Sequence, residues 1–161
     1  MFRLPNIRWL FAARGGAEED CGAANIGVTH GAWGEDVAAE VLRRKGYKIL
    51  ARNARPCTWD LRYEIDIVAY DRETETLTFV EVKQHSQHSS YETRLRSITA
   101  HKKRLLRIAC NTWRKLHHWA GSYRFDVIQI FGVPGQGVPE VDHIEHVNLF
   151  VPRERAVNWS V

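Results

Sequence analysis

Two apolar runs of this chain carry carboxylates inside them, and no other feature restricts the fold as much. Glu64-Ile65-Asp66 leads into Ile67-Val68, and Phe79-Val80-Glu81-Val82-Lys83 follows after the polar stretch Asp71 to Thr76. Charged and apolar residues alternating at a period of two mark a strand. A short polar connection between two such runs predicts an antiparallel hairpin. Within the second strand Glu81 and Lys83 share one side while Val80 and Val82 take the other. A register that turns Asp66 toward that same side brings two carboxylates and an ammonium together.

The flanking sequence supplies the rest of a domain. Val37, Ala38, Val41 and Leu42 recur at helical spacing behind Gly34, Glu35 and Asp36, which are expected in the first turn, and Gly46 closes the helix. Tyr47 to Ala51 is β-prone, and Asn53 to Asp60 is irregular around Pro56. Downstream, Ile98, Leu105, Ala109 and Leu116 are expected on one helical face, with Arg96, Lys103, Arg107 and Arg114 opposite. Gly121 ends that helix. Arg124 to Phe131 reads as a buried strand, Pro134 to Pro139 as a loop and Val141 to Val147 as a last strand. The order α, β, β, β, α, β, β does not alternate strictly, which argues against a doubly wound nucleotide fold and for a mixed sheet flanked by helices. Residues 1–29 show no sustained period and read as a mobile extension, residues 30–150 as the domain and residues 151–161 as a tail.

Charge is unevenly spread. The net charge is +4, yet the segment from Arg94 to Arg124 holds nine Lys or Arg and no acid, which leaves the other residues net acidic. Positive potential concentrated in one segment is what phosphate binding requires. Arg96, Lys102, Lys103, Arg104, Arg107 and Arg114, with His85 nearby, are therefore the candidate nucleic-acid contacts. No apolar run approaches the ~20 residues of a membrane span, and neither a span nor a signal peptide is expected. Cys21, Cys57 and Cys110 are far apart and odd in number, so a reducing, cytoplasmic setting is expected.

Two adjacent carboxylates repel, and burial disfavours their charged forms. A hard divalent cation balances them, and Mg2+ or Mn2+ suits a site that offers one or two carboxylates and shares its shell with water and substrate phosphate. Asp66 and Glu81 are the candidate ligands. Lys83 either orients and helps deprotonate a water or pairs with a phosphate oxygen, and the residues leave both open. Taken alone, a glutamate and lysine two apart on a strand more commonly form a solvated face. The apolar flanks, the upstream acids and the basic helix favour the functional reading.

Taken in order, Gly34-Glu35, Gly46-Tyr47, Arg52-Asn53, Glu64-Ile65-Asp66, Phe79-Val80-Glu81-Val82-Lys83 and Arg124-Phe125-Asp126-Val127 resemble the YraN-like bacterial family (UPF0102), regarded as endonucleases. That family is similar to the PD-(D/E)xK nucleases and to archaeal Holliday junction resolvases. The resemblance implies a restriction-endonuclease-like αβββαβ core. It further implies Asp66 and Glu81 as metal ligands, Lys83 as the active-site lysine, Glu35 as a further acid near the metal, and Glu64 as a contact through water. Glu35 has an equally good structural explanation, as a first-turn acid favoured by the helix dipole. Three positions depart from the family pattern: Tyr63 stands where a glycine usually precedes Glu-Ile-Asp, the loop from Ala54 to Arg62 is longer, and His85 stands where relatives often carry arginine.

Eight histidines lack a companion cysteine or an HExxH arrangement, so no zinc site is expected. His143 and His146 are expected as ordinary strand-end residues, Trp113 and Trp119 as core, and Trp59 as a base-stacking candidate. The resemblance implies metal-dependent hydrolysis of phosphodiester bonds, with structured or branched DNA as the expected substrate and partner, and a binding module lacking efficient catalysis is the alternative. A homodimer suits two cuts on a symmetric junction.

Overall fold

The computed structural model of the chain describes residues 30–85 and 98–150. The terminal extension and tail expected from the sequence, and Arg94 and Arg96 of the basic segment, lie outside the described residues.

Within these residues seven elements follow in the order α1 (His30–Arg44), β1 (Lys48–Ala54), β2 (Ile65–Asp71), β3 (Thr76–His85), α2 (Ala100–Leu116), β4 (Tyr123–Phe131) and β5 (Glu140–Ile144). The strands form one mixed sheet in the order β1-β2-β3-β4-β5. β1 with β2, β2 with β3, and β4 with β5 are antiparallel, while β3 and β4 are parallel. A parallel neighbour needs a crossover, and the connection containing α2 provides it. The expected α, β, β, β, α, β, β order and the mixed sheet flanked by helices are both present. Among the described residues no helix is long and apolar enough to cross a membrane.

Strand alternation assigns the two faces. Ile67 and Ala69 of β2, Val80 of β3, and Ile128 and Ile130 of β4 pack with Ala38, Ala39 and Leu42 of α1. Val68, Phe79, Phe125 and Val127 pack with Leu106, Ala109, Cys110 and Trp113 of α2. The sheet is thus the middle of three layers, each face burying its own apolar set.

The helices depart from expectation in instructive ways. α1 starts at His30 and has no acid in its first turn, so Glu35 and Asp36 sit in the second turn. The dipole explanation of Glu35 fails with that shift, because the effect fades beyond the first turn. Gly46, at φ 87°, closes α1, with Gly46 N donating to Arg43 O and Tyr47 N to Leu42 O at 2.9 and 3.0 Å. That paired closure needs a left-handed residue, which glycine adopts without strain. Gly34 serves a different end: a Cβ there would meet Gln84 Oε1 at 3.3 Å, so its absence lets α1 lie close to β3.

α2 begins at Ala100, capped by the Thr99 hydroxyl, and so Ile98 precedes it. Its buried face is Leu106, Ala109, Cys110 and Trp113, not the expected line through Leu105 and Leu116, and Leu116 is 58% exposed. Trp113 decides the rotation by meeting Phe79 edge-on at 5.7 Å, which turns Leu116 in the last turn to solvent. β1 runs three residues further than expected, through a register irregularity between Ile49 and Ala51 and past Asn53 at φ 48°. β5 stops at Ile144 because the next amides serve other partners: His146 N donates to Asp126 Oδ1 and Val147 N to Phe125 O.

The rotated face of α2 sets up a direct comparison. Leu106→Ala is expected to cost about 2–5 kcal/mol in urea unfolding, and Leu116→Ala to stay within about 0.5 kcal/mol. Equal costs would restore the face expected from the sequence.

Candidate active site

The β2/β3 register places Ile67 opposite Val80, and one further step sets Asp66 against Glu81. Directly opposed residues of an antiparallel pair point to the same side of the sheet, here the side covered by α2. The carboxylates therefore meet for the reason that Val68 and Phe79 meet two residues earlier. Asp66 Oδ2 accepts the Val82 amide at 2.7 Å, which fixes its side chain across the strand gap. Glu81 is 2% exposed. Its Oε1 accepts from Lys83 Nζ at 2.7 Å, and Lys102 Nζ approaches Oε2 at 3.4 Å from the first turn of α2. Oε2 itself is buried and, among the described residues, accepts no hydrogen bond.

The electrostatics follow from that crowding. Burial first, and the facing Glu81 second, push the Asp66 carboxyl up to about 7, against the pull of the Val82 amide and of Lys102. Two acids that cannot comfortably be ionised together are held beside two ammonium groups.

The remaining candidates fall into distinct places. Glu35 reaches this end of the sheet from α1 and raises the Asp66 pKa further, but its Oε2 accepts from Asn53 Nδ2 at 2.8 Å and lies 3.5 Å from Arg52. It is held by β1 at the margin of the pair. Glu64 is not brought in: its carboxylate is taken by Arg55 at 2.7 Å. The His85 ring stacks on Phe131. On α2, Arg104 is exposed and Lys103 half-buried. Arg107 Nε donates to Leu149 O at 2.9 Å, and the Arg114 guanidinium lies over the Tyr123 ring at 3.4 Å. Arg96 lies outside the described residues. Trp59, in the loop that delivers the chain to Asp66, is 75% exposed, whereas Trp113 and Trp119 are buried as expected.

A second polar cluster lies on the opposite face and was missed. Val127, beside Glu81 in the β3/β4 register, is followed back along β4 by Asp126, whose side chain turns to the α1 face. Asp126 is fully buried and accepts from Arg124 Nε at 3.2 Å, from the His146 amide at 3.0 Å, and from His143 Nε2 at 2.9 Å. Lys45 Nζ lies 2.9 Å from His143 Nδ1. An ammonium only donates, so Nδ1 accepts and Nε2 donates to Asp126. Arg124 also bonds the Tyr47 hydroxyl and reaches Glu145 and Asp71 at 3.2 and 3.7 Å. Burial, and the acids around it against the pull of Arg124, raise the Tyr47 phenol to about 12. His143 is therefore no ordinary strand-end residue; its side chain is 3% exposed. The available signal was Arg124 and Asp126 alternating within an apolar run, the same pattern that marked Glu81 and Lys83.

Among the described residues no three or more of His, Cys, Asp and Glu converge on a common point that could hold a metal ion. The donor set of the Asp66–Glu81 site is two carboxylates, one with an unbonded buried oxygen. That set fits a hard cation that completes its shell with water and phosphate.

The raised Asp66 pKa has a measurable sign. Folded Asp66 keeps its proton up to about pH 7, while an ordinary aspartate releases it near 3.8. Between those values the folded chain binds more protons, so Asp66 withdraws stability as pH rises through that window. In chelator, Asp66→Asn is expected to melt higher than the parent protein at about pH 8, with the gap closing toward about pH 4. A gap unchanged by pH would contradict the raised value.

Comparison with known proteins gives the family of the chain. A model described as "Uncharacterised protein family UPF0102" matches residues 34–130. The chain is similar to a UPF0102 protein of Herpetosiphon aurantiacus, 32% identical over 124 residues covering 74% of this chain and 93% of that protein. It is 39% identical over 120 residues to one of Mycolicibacterium smegmatis, covering 73% and 90%, and 39% identical over 121 residues to one of Pelobacter propionicus, covering 74% and 81%. The matched span runs from the glycine that seats α1 on the sheet to the end of β4, and so contains Asp66, Glu81, Lys83 and Lys102; the chain belongs to the UPF0102 family.

Proposed function

We propose that this chain is a metal-dependent endonuclease that hydrolyses phosphodiester bonds of structured or branched DNA. The observation that carries the reading is partly buried Asp66 set against buried Glu81, with one Glu81 oxygen unbonded among the described residues and Lys83 in contact with the other. A cluster kept only for stability would close its hydrogen bonds, as the Asp126 cluster does. An incompletely compensated pair of carboxylates beside lysine is the arrangement expected where charge must be handled during a reaction.

Asp66 and Glu81 would hold Mg2+ or Mn2+, which when bound polarises a phosphate and lowers the pKa of a coordinated water. The chain's own residues account for the rest. Asp66 is positioned by the Val82 amide rather than by a flexible partner, so its carboxylate is preorganised. Lys83, one turn of strand alternation from Glu81, presents an ammonium on the same face, suited to orienting a water or neutralising a phosphate oxygen. Lys103 and Arg104 on α2 extend the positive surface along which a nucleic-acid backbone would run. Two copies of the chain, each making one cut, would serve a symmetric junction.

The test is a cleavage screen on linear, flapped, gapped and four-way DNA with Mg2+ or Mn2+. Cleavage is expected with the parent protein and is expected to fall by about 100-fold or more in Asp66→Ala and Glu81→Ala, with DNA binding in chelator retained. A protein that binds these DNAs yet cuts none of them with either ion would instead be the binding module.

A further inference from the structure

The sequence groups Lys102 with the nucleic-acid contacts of the basic segment, yet its ammonium is turned inward to Glu81. Resting on the nuclease reading above, we propose that Lys102 is the site's resident counter-ion, which competes with the divalent cation for Glu81 and is released toward substrate phosphate when that cation binds.

The two lysines hold Glu81 differently. Lys83 Nζ is in hydrogen-bond contact with Oε1 at 2.7 Å and comes from the same strand two residues on. Lys102 Nζ stands 3.4 Å from Oε2 without making a hydrogen bond. Its hold is Coulombic, and it comes from a different element. The Lys102 side chain is 32% exposed while that of Glu81 is nearly sealed, so solvent reaches the lysine but not the carboxylate. The Lys102 backbone is separately anchored, its amide donating to the Thr99 hydroxyl at 3.2 Å at the start of α2. The side chain can therefore leave without disturbing the helix.

Charge balance gives the exchange its direction. Among the described residues, Asp66 and Glu81 carry at most two negative charges, which Lys83 and Lys102 match, while nearby Glu35 is paired with Arg52. A divalent cation added to that set leaves an excess of two positive charges in a partly buried site, which is strongly unfavourable. Moving Lys102 out removes half of the excess, and an incoming phosphate can compensate the remainder. Cation and substrate would then help each other to bind.

The experiment is calorimetric titration of Mn2+, without DNA, into the parent protein, Lys102→Ala, Lys102→Met, Lys102→Arg and Asp66→Ala. Lys102→Met keeps the apolar stem, guarding against a packing defect in the alanine variant. Both neutral variants are expected to bind Mn2+ about tenfold tighter than the parent, and Lys102→Arg close to the parent. In chelator the neutral variants are expected to melt lower, and Mn2+ to restore them. Unchanged or weaker Mn2+ binding in the neutral variants, while Asp66→Ala abolishes binding, would overturn the counter-ion role and leave the nuclease site standing. A parent protein that takes up no Mn2+, or binding indifferent to Asp66→Ala, would overturn the metal site and this proposal with it.

Discussion

Everything at the candidate site depends on one cross-strand contact: two carboxylates set side by side on the covered face of a sheet. Placing Asp66 against Glu81 is unfavourable in itself, since both are largely removed from water and each repels the other. The register that forces them together is the register that buries Val68 with Phe79 and Ile67 with Val80. A one-residue slip would separate the acids, but it would also turn every apolar side chain of β2 to the wrong face. The hydrophobic cores on both sides of the sheet therefore hold the acid pair in place, and α2, which completes one of those cores through Leu106 and Trp113, brings Lys102 to the pair.

The opposite face of the same strands shows what a saturated polar cluster looks like. Asp126 is as deeply buried as Glu81, yet it accepts from a guanidinium, an imidazole and a backbone amide. Arg124 in turn bonds Tyr47 and sits among Asp71 and Glu145. Such a network ties the end of α1, through Lys45 and Tyr47, to β4 and β5, and it is costly to break at any member. One residue along β4 separates the two clusters. Their difference in completeness is the physical ground for reading one as architecture and the other as a place where a ligand is expected.

Much of this was legible in the chain because strand alternation is a strict code. Glu64-Ile65-Asp66 and Phe79-Val80-Glu81-Val82-Lys83 showed where the acids fall and which face each takes, and a short polar link between them left few registers. What sequence could not supply was competition between partners. Glu64 shares the alternation of Asp66, but Arg55, nine residues earlier, takes its carboxylate. Helix faces were less legible than strand faces: with 3.6 residues per turn, Leu105 and Leu106 both fit an apolar stripe, and the contact of Trp113 with Phe79 decided between them. The Asp126 cluster draws on four separate stretches of chain, and beyond the alternation of Arg124 and Asp126 no local pattern carries that information. Lys102 suits a basic segment equally well whether it faces solvent or the acids.

The central claim is that Asp66 and Glu81 share one divalent cation. Anomalous diffraction from crystals soaked in Mn2+ tests it most directly: the account predicts a peak bonded to both carboxylates, at roughly the 2.0–2.2 Å typical of small hard cations with oxygen ligands. Contradiction would be the absence of density between those two side chains at saturating Mn2+, or a peak seated instead on Asp126 and His143.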